Sequence, residues 1–474
     1  MKRKHMMRWG KSILFCIILA VCVSAVSLVL ERKASRNKIW PFLQSADEYD
    51  VLFVGDSHML NAVFPMELWR DYGVASYNLA STGSTIPVTY WTLMNALDYA
   101  KPEVVVVGVK DAEKRYKLSG SSGDVHVALD AFPLTMNKAR AIEDLMDDPN
   151  ALDDEGNAYV DMKWEYYFPL GKYHSRWGEI SASDFGYHPN IKKGAETMIG
   201  VAVPNDYDII DENWAAEEYG EGYAYLRRIV ETCQEKGIEV MLVHLPYPSR
   251  EEEQMAANAV YYIAEEYGVD YVDFVNLDQV VDYDTDCFDA YSHLNPSGAV
   301  KVTDYIGRYL TEHYDVPDRR GQDRYVKWDE DYGKYQQGKV EVLFGQKEMV
   351  PFLMLLHNNS FSLNVYIREG AELYGDDTAL RLLHNIAREH VYEEDAFAKW
   401  SNAIFPLAQL DQAAWSGEAY GFTLDRLNDA LSECTGEQAK SMAEETFGHE
   451  AEAYDLSVQI IDAATGGVLG QVHL

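Results

Sequence analysis

A serine hydroxyl becomes a nucleophile where a turn exposes it and a base can reach it. Gly55-Asp56-Ser57-His58 meets the first condition, because it directly follows the apolar run Val51–Val54. Ser57 therefore falls on a tight turn from a buried strand into a helix, at the sheet edge where open α/β folds hold their ligands. Its own N–H can there join an anion-binding helix N-terminus. A base is offered 236 residues later, in Asp289-Ala290-Tyr291-Ser292-His293-Leu294-Asn295-Pro296. Asn295 suits an N-cap and Pro296 a first helical position, which puts His293 just ahead of a helix. A His that reaches a Ser can take its proton, and an Asp on the far ring nitrogen fixes the tautomer. Unless the two segments meet, the second is a helix-capping loop with an incidental His.

The pattern between them supplies the elements that would bring them together. Val51–Val54, Ala75–Ala80, Glu103–Val109, Ile238–Leu245 and Val269–Phe274 read as strands. Glu103–Val109 is β-branched almost throughout, as a strand covered on both faces must be. Helical patterns at Ile86–Ala100, Tyr223–Gly237, Arg250–Tyr267 and Asn295–His313 alternate with them. Strands separated by helix-length segments predict right-handed βαβ units and a doubly wound parallel sheet, a three-layer α/β/α fold. Both chemistry-bearing loops then lie on one edge. The interval from about 112 to 219 is too long for a loop in a compact sheet and reads as an inserted cap over that edge. A polar stretch at 315–330 reads as a linker. Residues 331–474 read as a small C-terminal α/β domain of unassigned role, with helices at Glu348–His357 and Asp377–His390, strands at Phe361–Ile367 and Leu456–Ile461, and a hairpin turn before Val468–Leu474.

On these residues the chain resembles the SGNH (GDSL-like) hydrolase family over roughly Asp50 to Leu310. Gly55-Asp56-Ser57 matches the nucleophile block, Asn78-Leu79-Ala80-Ser81-Thr82-Gly83 resembles the second block, and His293-Leu294-Asn295 resembles the closing block. The resemblance implies a flavodoxin-like sheet and acyl-ester chemistry through an acyl-Ser57 intermediate. It also implies His293 as base, Asp289 as orienting acid, an oxyanion hole from the Ser57 and Gly83 N–H groups, and no cofactor or metal. Two departures stand out. The third block normally supplies an oxyanion-hole Asn, whereas Gly108-Val109-Lys110-Asp111 has none. The acid usually lies three residues before the His, where Ala290 stands, and Asp289 is one residue further back. Either the loop is extended by one residue, or a Ser–His dyad works with a backbone carbonyl.

Other polar residues are candidates for substrate contact. His58 adjoins Ser57 but diverges from it on a sharp turn, so it reads as substrate-facing or structural rather than as the base. His174, Arg176 and Trp177 form a polar-aromatic cluster suited to gripping a carboxylated or acylated sugar, or else a packed cap with an exposed Arg. His244 reads as a buried, satisfied His. Asp153–Asn157 lacks calcium-loop spacing and reads as a solvated turn.

Ser12–Leu30 carries no charge, with Lys2, Arg3, Lys4, Arg8 and Lys11 ahead of it. As a helix it spans roughly 28 Å, the thickness of a bilayer's hydrocarbon core. It reads as a single-pass anchor with residues 1–11 as a cytoplasmic tail, residues 31–48 as a linker, and the domain at 49–314 outside the cytoplasmic membrane. The rival is a signal peptide cut after Val23-Ser24-Ala25. Three cysteines beyond the apolar segment make no disulfide scaffold.

The 474 residues carry 41 basic against 77 acidic side chains, net −36. That balance excludes nucleic acid as a partner and a peripheral electrostatic hold on anionic lipid. The expected function is an extracytoplasmic serine acyl esterase or O-acyltransferase acting on acetyl esters of a cell-envelope or exported glycan. Its architecture resembles alginate O-acetylation and D-alanyl transfer proteins. The glycan is the expected partner, with a membrane-bound acyl-donor transporter a further candidate. The alternative is an inactive glycan-binding or export accessory protein of the same fold.

Overall fold

The computed structural model describes residues 2–118, 120–186, 190–216, 220–277, 280–387, 417–425 and 430–474. Five parallel strands form the central sheet: β1 (Val51–Val54), β2 (Ser76–Asn78), β3 (Val104–Gly108), β4 (Glu239–His244) and β5 (Asp270–Asp273), in the order β2-β1-β3-β4-β5. The 2-1-3-4-5 order is that of a flavodoxin-like doubly wound sheet, whose switch point lies between β1 and β3. Every residue of β1 and β3 is buried, which explains their unbroken apolar sequences. At the end of these two strands Gly55 and Gly108 nearly touch; a Cβ on Gly55 would lie 3.3 Å from the Gly108 Cα. Two larger residues would push the switch point apart.

Helices cover both faces. On one side lie α5 (Ile86–Ala96), α10 (Glu221–Glu235) and α11 (Glu251–Tyr267), whose apolar residues join those of β1, β3 and β4 in one core. The other core gathers α3 (Ser57–Ala62), α4 (Pro65–Tyr72) and α12 (Pro296–His313). At the start of α12 the Asn295 side chain accepts from the Ser297 and Gly298 N–H groups, and Pro296 fills a position that needs no donor.

The insertion holds α6 (Ser122–Leu129), α7 (Met136–Leu145), α8 (Tyr159–Tyr167) and α9 (Leu170–Tyr173). It differs from a lid lying only over the strand ends. Its helix α7 packs along the flank of α5, where Asp144 accepts from Trp91 Nε1 at 2.6 Å and from Lys117 Nζ at 3.2 Å. The edge is reached by α6, with Asp124 beside Gly83, and by the later part of the insertion, where the Ala202 and Asn205 N–H groups donate to the Cys287 and Ala290 carbonyls.

Both stretches expected as linkers are ordered and packed. Residues 33–44 form α2, with Ile39 and Phe42 buried in the sheet's core and Tyr77 donating to the Lys38 carbonyl at 2.6 Å. Three cations and Pro41 disguise it, because Lys38 and Arg36 are buried with their charges turned to backbone carbonyls. At 315–330, Arg319 pairs with Asp50 and Trp328 is 1 % exposed against Trp69 and Tyr49. The chain then enters α13 (Val326–Gly345).

The C-terminal unit is built on an antiparallel sheet. Its strands are β6 (Phe361–Ile367), β7 (Tyr420–Asp425), β8 (Ala430–Thr435), β9 (Leu456–Asp462) and β10 (Val468–His473), in the order β10-β9-β6-β7-β8. Helices α14 (Met349–Leu356) and α15 (Asp377–Ala387) complete its core with β6 and β9. Residues 388–390 of the expected second helix lie outside the described residues. The unit is tied back by Arg381 Nε to Asp282 at 2.7 Å and Lys339 Nζ to buried Glu67 at 2.7 Å.

Candidate active site

The sheet topology carries the two loops to one place. Ser57 opens α3 immediately after β1, at the switch point, and the connection from β5 to α12 returns His293 to it. Ser57 Oγ lies 2.8 Å from His293 Nε2, and His293 Nδ1 lies 2.8 Å from Asp289 Oδ2. A carboxylate on Nδ1 requires a proton there, which leaves Nε2 with a lone pair facing the hydroxyl.

The extra residue between acid and base is absorbed by a turn. Asp289 Oδ1 accepts from the Tyr291 and His293 N–H groups at 2.9 and 3.2 Å, while Ser292 adopts φ +60°. A non-glycine residue in that region is strained, and Ser292 is 1 % exposed, so its surroundings hold it there. The loop's base is fixed by Phe288 N–H donating to the His293 carbonyl at 2.7 Å and Asn295 N–H to the Asp286 carbonyl at 3.0 Å. Below them Asp286 and Lys301 form a fully buried ion pair, joined by Ser297 Oγ at 2.8 Å.

His58 is not turned to a substrate. Its ring stacks on that of His293, centroids 4.4 Å apart, and both of its nitrogens are engaged. Nδ1 lies 3.0 Å from Asp56 Oδ2 and Nε2 lies 2.8 Å from the Tyr291 carbonyl. Both partners are acceptors, so only a ring with two N–H groups satisfies them together. Asp56 also meets Lys110 Nζ at 3.4 Å, and Tyr247 closes the cluster with its ring 4.9 Å from that ammonium and 4.8 Å from His58. Burial alone would raise the Asp56 carboxyl. The charges of His58 and Lys110 outweigh it and hold Asp56 far below the usual carboxylate range. Lys110 is held above the usual lysine range, since Asp56 and Asp111 outweigh its burial.

His293 is pushed below the ordinary imidazole value, first by burial and then by the positive His58 ring, against the pull of Asp289. That direction keeps it unprotonated and able to accept.

Gly83 has φ +64°, and a Cβ there would lie 2.5 Å from Asp124 Oδ2, so the position demands glycine. Among the described residues neither the Gly83 nor the Ser57 N–H has an acceptor. Asn78 of the same block turns inward, donating to the Met59 and Val63 carbonyls. His244 is buried on Asp273 at 2.8 Å.

The His174-Arg176-Trp177 cluster is placed elsewhere. Arg176 donates to the Leu30 and Glu31 carbonyls and to Asp184, His174 Nδ1 approaches the Gly171 carbonyl, and Trp177 is 63 % exposed. These residues sit where the N-terminal helix meets the insertion. Among the described residues no three His, Cys, Asp or Glu side chains gather as metal ligands. A mostly apolar cavity of about 260 Å³, lined by Phe64, Ile199, Tyr335, Leu355 and Phe361 among others, contains none of Ser57, Asp289 or His293.

Sequence reasoning missed Asp56, Tyr247 and the backbone of Tyr291 as parts of the site. The Asp56-x-His58 spacing was a usable signal, since two residues apart across a helix start lets a carboxylate cap the turn and reach the ring; Asp56 indeed accepts the His58 N–H at 3.1 Å.

No protein-family model and no curated protein matches the chain. Two solved structures are similar to parts of it. One, from Desulfitobacterium hafniense DCB-2, is provisionally described as a lipolytic protein of the G-D-S-L family; at 12% identity and a TM-score of 0.27 the match covers 55% of this chain and 98% of that one. The other, from Bacteroides fragilis NCTC 9343, is provisionally described as an acylhydrolase, with 12% identity, a TM-score of 0.28, and 59% and 95% of the two chains covered. The chemistry open to this chain is therefore read from its own residues: a hydroxyl, a base and an orienting carboxylate in line at the switch point of a doubly wound sheet.

Proposed function

We propose that the protein is a serine acyl esterase or O-acyltransferase, displayed outside the cytoplasmic membrane on its own N-terminal helix and acting on acyl, by default acetyl, esters of a cell-envelope or exported glycan. The observation that carries the chemistry is the chain of contacts from Ser57 Oγ to His293 to Asp289, both links at 2.8 Å. Ser57 Oγ attacks the ester carbonyl carbon as its proton passes to His293 Nε2. The carbonyl oxygen takes up the displaced electron pair and receives the Ser57 and Gly83 N–H groups. Collapse expels the alcohol, which takes the proton from His293, and leaves acyl-Ser57. Water or a sugar hydroxyl then gives its proton to His293 and attacks the acyl carbon, and collapse breaks the bond to Ser57 Oγ, which takes the proton back from His293; water makes the protein an esterase, a sugar hydroxyl a transferase.

Membrane display is supported by Trp9–Leu30, a helix segment long and apolar enough to cross a bilayer. The glycan rests on architecture alone. Lys110 favours a second reading, a glycan-binding protein without turnover, because it stands where an oxyanion-hole donor is expected and is engaged by Asp56.

The test is hydrolysis of 4-nitrophenyl acetate and of an acetylated polysaccharide by the purified full chain, beside Ser57→Ala. Turnover present in the first and lost in the second supports the enzyme. Binding of the polysaccharide with equal, negligible turnover in both supports the second reading.

A further inference from the structure

The insertion meets the membrane helix along a defined face. In α1 (Lys2–Leu30) the large apolar side chains from Ile13 to Val21 are 50–64 % exposed. Beside a half-buried Val29, burial follows the half-buried Val23, Val26 and Ser27 and the fully buried Leu30. These positions are i, i+3, i+4 and i+7, one stripe of a helix. The stripe lies against α9 and the turns His174–Glu179 and Ala182–Phe185. The last carbonyls of α1, which a helix leaves without partners, are taken by three cations. Lys33 Nζ reaches the Leu28 and Val29 carbonyls at 2.8 and 2.9 Å, Arg36 Nη1 reaches Leu28 at 3.0 Å, and Arg176 reaches Leu30 and Glu31. Arg36 Nη2 also donates to the Gly186 carbonyl at 3.2 Å. The helix is therefore locked to the insertion, not joined to it by a free tether.

That lock has a geometric consequence if the helix spans a bilayer. The stripe from Val23 to Leu30 runs for about 12 Å. The hydrocarbon core is about 30 Å thick, so the whole apolar run Ser12–Leu30 is needed to fill it. Seating the helix therefore draws the edge of the insertion down to the headgroup boundary. That edge is aromatic. Trp177 and Phe185, 63 % and 69 % exposed, lie on the two turns that touch α1. Phe168, 45 % exposed, stands two residues before α9, and the Trp164 ring, 53 % exposed, lies over Gly171 within it. Large exposed rings beside an apolar helix end suit the interface, where flat amphipathic side chains concentrate. With a net charge of −36 the chain has no electrostatic hold on anionic lipid, so apolar contact is what remains to the insertion.

We propose that Trp164, Phe168, Trp177 and Phe185 form a seat for the insertion in the outer interface of the bilayer that α1 spans. The seat deepens the membrane-display reading and rests on it. It also connects the bilayer to the Ser57 site through one element, because Lys172 of α9 contacts Ser122 Oγ at 3.3 Å at the head of α6, and Asp124 of α6 flanks Gly83.

The experiment uses the full chain in phosphatidylcholine nanodiscs, with lipid brominated near the headgroup end of its acyl chains as a short-range quencher of tryptophan. Trp177→Phe, Trp164→Phe, Trp9→Phe and Trp214→Phe each report one ring's share of the quenched emission. Trp9 opens the membrane-length segment and reports the anchor; Trp214, 57 % exposed and held through its carbonyl by Asn258 of α11, is an exposed ring away from α1. The seat predicts that loss of Trp177, Trp164 or Trp9 lowers the quenched fraction and that loss of Trp214 does not. Quenching at Trp9 without quenching at Trp177 and Trp164 overturns the seat and leaves the anchor. No quenching at Trp9 overturns the anchor, and the seat with it. Equal quenching at Trp214 overturns the seat by showing that exposure alone suffices.

Discussion

His58 and His293 lie ring on ring, each with an aspartate on Nδ1, and they differ in what faces Nε2. For His293 it is the Ser57 hydroxyl; for His58 it is the Tyr291 carbonyl. A hydroxyl can give a proton and a carbonyl cannot, so only the first ring has a use for a lone pair. The aspartates differ as well. Asp289 is partly open, its side chain 28 % exposed, and serves one ring and one turn. Asp56 is buried and shared between His58 and Lys110. Two similar His–Asp pairs thus suit different work: on the proposed reading the first relays the Ser57 proton, and the second, with both nitrogens tied to acceptors, braces the loop of the first.

The largest expected effect belongs to the hydroxyl. Ser57→Ala should abolish acetyl-ester turnover, on the order of 10⁶-fold as for other serine nucleophiles, while thermal unfolding is unchanged. Next come the two aspartates, whose substitutions should cross over. Asp289→Asn should lower kcat by ~10⁴-fold through the wrong tautomer, with little change in stability. A loss under about tenfold would point to a Ser–His dyad. Asp56→Asn should do less to kcat but lower stability more than Asp289→Asn does, because it takes a buried carboxylate from the partly exposed Lys110 ammonium and from the buried His58 ring. Denaturant titration and initial rates on the two variants would show the crossing or its absence.

The smallest effect is on pH dependence. Since burial and then His58 push His293 below its ordinary value, the acid limb of kcat/KM should lie below pH 6.5, with the base active above it. Removing the His58 charge removes one of the two downward influences. In His58→Gln the limb should therefore move to higher pH, so the loss grows as pH falls from 8 to 5. A pH-independent loss would reduce His58 to a packing role.

Much of this was legible in the chain. Strands that are buried on both faces have to be apolar throughout, so β1, β3 and β4 announced themselves, and Asn295-Pro296 marked the start of α12 within a residue. Their βαβ spacing fixed which loops share an edge, which is why Ser57 and His293 could be paired across 236 residues. What stayed hidden depended on tertiary partners. Lys33, Arg36 and Arg176 look like solvated surface in sequence, yet they cap the carbonyls of the N-terminal helix, and Lys38 turns to the Ala80 carbonyl. Trp328, in a stretch rich in charge, is buried only because Trp69 and Tyr49 are there to receive it. The one-residue excess in the Asp289–His293 loop was readable, but the left-handed Ser292 that accommodates it was not, since nothing in a serine signals positive φ.

The central claim is that His293 activates Ser57, and covalent labelling by a fluorophosphonate tests it most directly, because only an activated serine reacts quickly. Intact mass and peptide mapping of the full chain should show one adduct, on Ser57, with labelling abolished in Ser57→Ala and slowed steeply in His293→Ala. No adduct in the unsubstituted protein, or an adduct that forms as fast without His293, would contradict the account.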